Sequence, residues 1–186
     1  PNHVHLILTP SDEDGLRAAL GEAHRRYTRH VSFREGWRGY LWQGRFASFP
    51  MDEAYALVCA RYVELNPVGA RLTRRARDWR WSSARAHLAG EGDGLVQVRP
   101  LLALAPDWSG FLKAGLNDAD RDVVRAGERT GRPLGSDRFL TRLEKRLDRP
   151  LARQKPGPKP MAGRLGVVST EFRIPRSRCA MALPSL

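Results

Sequence analysis

Two histidines near the start of the chain, in Asn2-His3-Val4-His5-Leu6, are separated by a single apolar residue. Successive side chains of a β-strand point to opposite faces, so a strand over residues 2–9 would place both imidazoles on one face. Its apolar residues Val4, Leu6 and Leu8 would be buried on the other. Two neighbouring neutral imidazoles are good ligands for a divalent metal ion. The alternative is a half-buried strand whose outer histidines bind nothing.

A second motif, Tyr62-Val63-Glu64-Leu65-Asn66-Pro67, ends a predicted helix over residues 52–66. Asp52 is a suitable N-cap, apolar residues recur every three or four positions, and Pro67 disfavours helical geometry just before it. Tyr62 and Asn66 are four residues apart and therefore share a helix face. The pair could act on one phosphate, the amide oxygen binding a metal and the phenol attacking phosphorus. Alternatively, Tyr62 is a core aromatic residue and Asn66 a C-cap.

Together these motifs resemble those of the REP-associated tyrosine transposases, which are single-tyrosine HUH transposases. The similarity covers roughly residues 1–160. Further similar segments follow in the same order: Leu41-Trp42-Gln43-Gly44-Arg45-Phe46, Trp81-Ser82-Ser83 and Thr130-Gly131-Arg132-Pro133-Leu134-Gly135. In that family, other strands and a helix precede the histidine strand. The resemblance therefore also implies that this chain lacks the start of the domain.

The resemblance implies an α+β fold, with a ferredoxin-like antiparallel sheet and helices packed on one face. Residues 1–112 would form the transposase domain, 113–160 a helical, basic, DNA-binding appendage, and 161–186 a disordered tail. Within the appendage, the sequence pattern predicts helices over 117–130 and 136–148, capped by Asn117 and Ser136. These two helices could form a DNA-binding motif similar to a helix-turn-helix, or they could simply pack against the domain.

The resemblance also implies catalytic roles. His3, His5 and Asn66 would bind Mg²⁺ or Mn²⁺, and Tyr62 would be the nucleophile that forms a 5′-phosphotyrosine link to DNA. A phenol is a weak nucleophile at neutral pH, and a metal ion that polarises the phosphate compensates for this. The covalent link conserves the phosphodiester energy, so a 3′-hydroxyl can later rejoin the strand. The expected activity is thus DNA transposition by strand nicking and rejoining.

The charge of the chain favours a nucleic-acid partner. Its formal net charge is +12, from 32 Lys and Arg against 20 Asp and Glu. Arginine pairs with phosphate and stacks on bases, and basic residues interleaved with aromatic ones suit single strands. A GC-rich genome would also raise the arginine content, which is the alternative explanation. The residues predicted to contact single-stranded or hairpin DNA are Arg25, Arg26, Arg29, Arg38, Arg45, Arg74, Arg75 and Arg77.

Composition also predicts the compartment. Cys59 and Cys179 are too far apart to indicate a metal or disulfide framework, and Cys59 is expected in the core. No apolar run is long enough to span a membrane, and no signal peptide is evident, so a bacterial cytoplasmic location beside the nucleoid is expected. A homodimer is possible. Two other functions stay open: an inactive hairpin-DNA-binding relative, and a metal-independent RNA-binding or ribonuclease module that uses both histidines as acid and base.

Overall fold

The structure is a computed structural model that describes residues 3–44 and 46–152, and in these residues it is helical without a β-sheet. Helices account for 56% of them. A short 3-10 helix, Ala76–Asp78, follows the second α-helix. In chain order the α-helices are α1 (Gly15–Glu35), α2 (Glu53–Gly69), α3 (Ala84–Ala89), α4 (Arg99–Leu104), α5 (Trp108–Lys113), α6 (Asp118–Thr130) and α7 (Asp137–Leu147).

The expected α+β fold with a ferredoxin-like antiparallel sheet is therefore wrong for the described part of the chain. Residues 3–9, expected to form the histidine strand, are irregular apart from an isolated bridge at Val4, and residues 46–50 are irregular too. Leu6 and Leu8 are each 49% exposed, so the alternating pattern does not bury an apolar face. A strand is stable only beside other strands that pair with its backbone N–H and C=O groups. The local pattern cannot supply those partners.

The helices predicted from local signals are confirmed, with shifts at their ends. Asp52 caps α2 as expected, because its side chain accepts the Tyr55 N–H at 3.1 Å. The helix nevertheless continues through Pro67 to Gly69, and the Ala70 N–H donates to the Asn66 carbonyl at 2.8 Å. Pro67 removes one hydrogen bond of the last turn without ending the helix.

The core lies between α2 and the short helices that follow it. Helix α2 contacts the 3-10 helix, α4 and α5, and α3 contacts α5. Arg61 joins α2 to α5, since its guanidinium lies 4.0 Å from the centre of the Phe111 ring and donates to the Gly115 carbonyl at 3.2 Å. The buried residues at the centre of this core are Ala60, Ala76, Ala84, Trp108 and Leu112.

Helices α6 and α7 begin with the caps that the sequence predicted. The Asn117 side chain accepts the Asp120 N–H at 2.7 Å, and the Ser136 hydroxyl accepts the Phe139 N–H at 3.4 Å. The predicted helices of the appendage are thus confirmed. Its Pro-rich end, residues 153–160, and the tail at 161–186 lie outside the described residues.

The segment between α6 and α7 is attached to the start of α2. Leu134 forms a parallel bridge with Met51, and the Ser136 N–H donates to the second carboxylate oxygen of Asp52 at 2.7 Å. Gly127 of α6 permits a close approach here, because an added Cβ would lie only 3.1–3.2 Å from Leu134 and the Phe49 ring. These contacts hold α6 against the helix that carries Tyr62.

Candidate active site

The irregular segment at the start of the described chain carries both histidines to the side of α2, beside Tyr62. The His3 and His5 ring centres are 4.9 Å apart, and the His5 and Tyr62 ring centres are 5.6 Å apart. Both pairs meet edge to face, and all three side chains are half-buried. The structure therefore brings together three of the four predicted catalytic and metal-binding residues, although no strand holds the histidines.

His5 has two ring nitrogens in different surroundings. Its Nδ1 lies 3.2 Å from Oε1 of Glu128, while its Nε2 is buried without a hydrogen-bond partner among the described residues. Burial, helped by the nearby charge of His3, lowers the pKa of His5 to about 4, and burial also lowers the pKa of His3. Both rings are therefore neutral at pH 7, the state in which imidazole binds a metal.

A divalent ion at His3 and His5 would need further donors. Asn66, the predicted third ligand, lies one turn after Tyr62 on α2 and is half-buried. In residues 3–44 and 46–152, no three His, Cys, Asp or Glu side chains are grouped as a metal site. The predicted set instead contains two imidazoles and one amide, completed by water. The orphaned Nε2 of His5 and the neutral rings fit such an ion.

A second polar cluster, which the sequence analysis missed, is buried on another side of α2. Glu64 is only 1% exposed, and its carboxylate contacts three polar side chains. Its Oε1 receives the Ser83 hydroxyl at 2.7 Å and faces Nδ1 of His87 at 2.6 Å, and its Oε2 accepts the Trp108 indole N–H at 2.8 Å. The His87 ring stacks on Trp108, with ring centres 4.6 Å apart. This network ties α2 to α3 and α5.

One signal in the sequence could have indicated this burial. Glu64 is four residues from both Ala60 and Val68, so a helix places it in an apolar row. Ala60 is buried and Val68 packs against the same core. A carboxylate in such a row must find hydrogen-bond donors, because an unpaired buried charge is costly. No comparable local signal indicates that Glu128 contacts His5.

The predicted DNA-binding residues of α1 share a groove of about 730 Å³, which is lined by Arg25, Arg26, Arg29, His30, Phe33 and Arg34. Arg25 and Arg26 both pair with Glu22 at 2.7 Å, and their hydrogen bonds lower the pKa of Glu22 to about 2. The Arg29 guanidinium lies 5.6 Å from the centre of the Phe33 ring, which is 79% exposed.

The other predicted DNA-binding residues lie elsewhere. Arg38 is exposed after the end of α1, whereas Arg45 lies outside the described residues. Arg74, Arg75 and Arg77 are exposed at and just before the 3-10 helix, and Arg75 pairs with Asp78 at 2.9 Å. The α1 arginines line one groove, whereas Arg74, Arg75 and Arg77 lie at and just before the 3-10 helix.

No protein-family model matches the chain, and no curated protein or solved structure matches it either. Within residues 3–44 and 46–152, no helix is both long and apolar enough to cross a membrane.

Proposed function

We propose that the protein nicks and rejoins single-stranded or hairpin DNA, with Tyr62 as nucleophile and a divalent metal ion as activator. The observation that carries the proposal is that the Tyr62 and His5 rings meet, with ring centres 5.6 Å apart, and that the His5 ring in turn meets the His3 ring. A nucleophile and metal ligands from distant parts of the sequence meet at one half-buried place.

In the proposed reaction, His3, His5 and Asn66 hold the ion. A bound Mg²⁺ or Mn²⁺ would polarise the scissile phosphate and neutralise charge that develops on its oxygens. The phenolic oxygen of Tyr62 attacks phosphorus and gives up its proton. The bond to the leaving 3′-oxygen breaks, that oxygen takes up a proton to become a 3′-hydroxyl, and the 5′-phosphate stays attached to Tyr62. A 3′-hydroxyl later attacks the same phosphorus and releases the phenol, so the number of phosphodiester bonds is conserved without ATP.

The surface of α1 supports a single-stranded nucleic acid as substrate. Its groove combines arginines with the exposed ring of Phe33, and Trp37 and Tyr40 follow at 60% and 102% exposure. Exposed rings can stack on unpaired bases while guanidinium groups contact phosphates. The pairs of Arg25 and Arg26 with Glu22 lie at the surface, where ion pairs are weak enough for phosphate to compete.

The decisive experiment is covalent capture of DNA by the full chain. Incubation with single-stranded hairpin DNA and Mn²⁺ should give an adduct that survives denaturing electrophoresis. Tyr62→Phe should abolish the adduct because no oxygen remains to attack phosphorus, with DNA binding nearly unchanged. Tyr55→Phe, on the same helix, is the matched control and should retain it.

The other outcomes separate the competing functions. DNA binding with no adduct in the wild type would indicate an inactive hairpin-binding relative. RNA cleavage that is insensitive to EDTA would indicate the metal-independent ribonuclease. An adduct that persists in Tyr62→Phe but disappears in Tyr55→Phe would assign the nucleophile to Tyr55 and contradict the proposal.

A further inference from the structure

Glu128 is an acidic side chain that contacts a residue of the proposed metal site. It lies on α6, and its Oε1 is 3.2 Å from Nδ1 of His5. Their side chains are 20% exposed for His5 and 32% for Glu128, so water only partly screens the contact. Neither the resemblance nor the local sequence pattern assigned a role to this residue.

The two ring nitrogens of His5 have different surroundings. Nδ1 faces the Glu128 carboxylate, whereas Nε2 is buried and lacks a hydrogen-bond partner within the described residues. In a neutral imidazole one nitrogen carries the proton and the other a lone pair. A carboxylate beside Nδ1 favours the proton there, which leaves the lone pair on Nε2. Carboxylates contact metal-binding histidines in this way and orient their rings.

The packing of α6 holds the contact between Glu128 and His5 in place. The α6 residues Val124 and Gly127 are buried, and Gly127 approaches both Phe49 and Leu134 closely. Glu128 is also near enough to Cys59 on α2 for its charge to contribute, after burial, to raising the pKa of that thiol to about 12. The carboxylate therefore lies in the small region where α6, α2 and the His3–His5 segment meet.

We propose that Glu128 is a positioning residue that holds His5 as the Nδ1–H tautomer and so presents Nε2 to the divalent metal ion. The inference rests on the proposed metal site. It also gives α6, within the segment expected to be a DNA-binding appendage, a direct part in the active site. Glu128 itself contacts neither the metal nor the substrate in this arrangement.

The test uses the full chain and two readouts that do not depend on nuclease activity. The first is the His5 tautomer, measured at pH 7.5 without metal by ¹⁵N-detected imidazole NMR and assigned by the signals lost in His5→Ala. The second is Mn²⁺ affinity, measured by electron paramagnetic resonance. The variants are Glu128→Ala and Glu128→Gln, with Asp122→Asn, an exposed acidic residue of α6, as the control.

In the wild type we expect the Nδ1–H tautomer of His5. Glu128→Ala should shift it toward Nε2–H and weaken Mn²⁺ binding by about 10- to 100-fold, the usual effect of losing such a partner. Glu128→Gln keeps an oxygen acceptor and should lie between the wild type and Glu128→Ala. Asp122→Asn should behave as wild type.

Three results would overturn the inference: an Nε2–H tautomer in the wild type, a tautomer unchanged in Glu128→Ala, or an Mn²⁺ affinity in that variant equal to the Asp122→Asn value. Failure of the proposed function has a different signature. If the wild type bound no Mn²⁺, the metal site would be wrong, while the tautomer would still decide whether Glu128 sets the protonation of His5.

Discussion

Two histidine–glutamate pairs occur on different sides of α2, and they share one arrangement. In each pair Nδ1 of the histidine faces a carboxylate, at 3.2 Å for His5 with Glu128 and 2.6 Å for His87 with Glu64. In each pair Nε2 is buried without a hydrogen-bond partner among the described residues. The chemistry of the two contacts is the same, so their surroundings must distinguish what they do.

The surroundings differ in burial and in the number of donors. His87 and Glu64 are 4% and 1% exposed, and the Glu64 carboxylate also binds Ser83 and Trp108. For His5 and Glu128 the exposed fractions are 20% and 32%. A carboxylate with three donors from two other helices fixes those helices against α2. The His5–Glu128 pair is partly exposed and lies beside Tyr62.

The comparison shows that a histidine–carboxylate contact does not identify a functional site by itself. The His87 side chain is only 4% exposed and its ring stacks on Trp108, so it belongs to the core. His5 instead meets Tyr62, which can react. We therefore interpret the Glu64 network as an anchor for α2 and the His5 pair as part of a reactive site.

The largest expected effect is on stability and comes from Glu64. Glu64→Ala removes the acceptor of three donors, two of them on buried side chains, and each unsatisfied buried donor costs about 1–3 kcal/mol. We expect a loss of about 3 kcal/mol or more in the free energy of unfolding, measured by urea denaturation. Glu128→Ala, the matched change in the half-exposed pair, should cost about 1 kcal/mol or less. Equal losses would contradict the distinction between the two pairs.

A smaller effect on stability is expected from the protonation of His5 at low pH. The pKa of His5 is lowered from 6.5 to about 4 in the folded protein, so the unfolded chain binds more protons in this interval. The contribution of His5 to the free energy of unfolding should be complete above pH 6.5 and should decrease as the pH falls toward 4. Between pH 8 and pH 5 the contribution of His5 is about 2 kcal/mol.

The measurement is urea unfolding of wild type and His5→Gln at a series of pH values. Other groups titrate in the same range, so the informative quantity is the difference between the two proteins. The wild type should lose about 2 kcal/mol more than the variant between pH 8 and pH 5. If the difference in free energy of unfolding between the two proteins stayed constant over this pH range, His5 would be as solvated in the folded protein as in the unfolded chain.

The smallest effect on stability is expected for arginines outside both pairs. Arg74, Arg75 and Arg77 are exposed, so replacing all three with Ala should leave the free energy of unfolding within about 0.5 kcal/mol per site. Their proposed role is phosphate contact. DNA affinity should fall. The slope of log affinity against log salt concentration should become shallower by up to about 2 units, because each single-strand phosphate contact contributes about 0.7 to that slope. An unchanged slope would exclude these residues from phosphate binding.

Local interactions explain which parts of the fold could be predicted. Asp52, Asn117 and Ser136 each accept a backbone N–H three residues further on, so a short stretch of sequence suffices to place the start of α2, α6 and α7. The expected sheet failed because strand pairing is non-local. The alternation around His3 and His5 describes a strand's faces but supplies no neighbouring strand.

The site was only partly predictable for the same reason. The spacing of His3 and His5 and the helical step from Tyr62 to Asn66 are visible in the sequence as short-range patterns. The structure places the His5 ring against the rings of His3 and Tyr62, whereas the metal and nucleophile roles stay predictions. Glu128 and the donors around Glu64 come from other helices, and neither the periodicity of the sequence nor a capping motif predicts these contacts.

The sequence alone determined the helical segments, their caps, the excess of positive charge and the residue types able to bind a metal or attack a phosphate. These depend on contacts within about one helical turn or on composition. Only the tertiary structure decided that His5 meets Tyr62 and Glu128, and that Glu64 is buried among Ser83, His87 and Trp108. Such contacts form when whole helices pack, because burial of their apolar faces sets which distant polar groups meet.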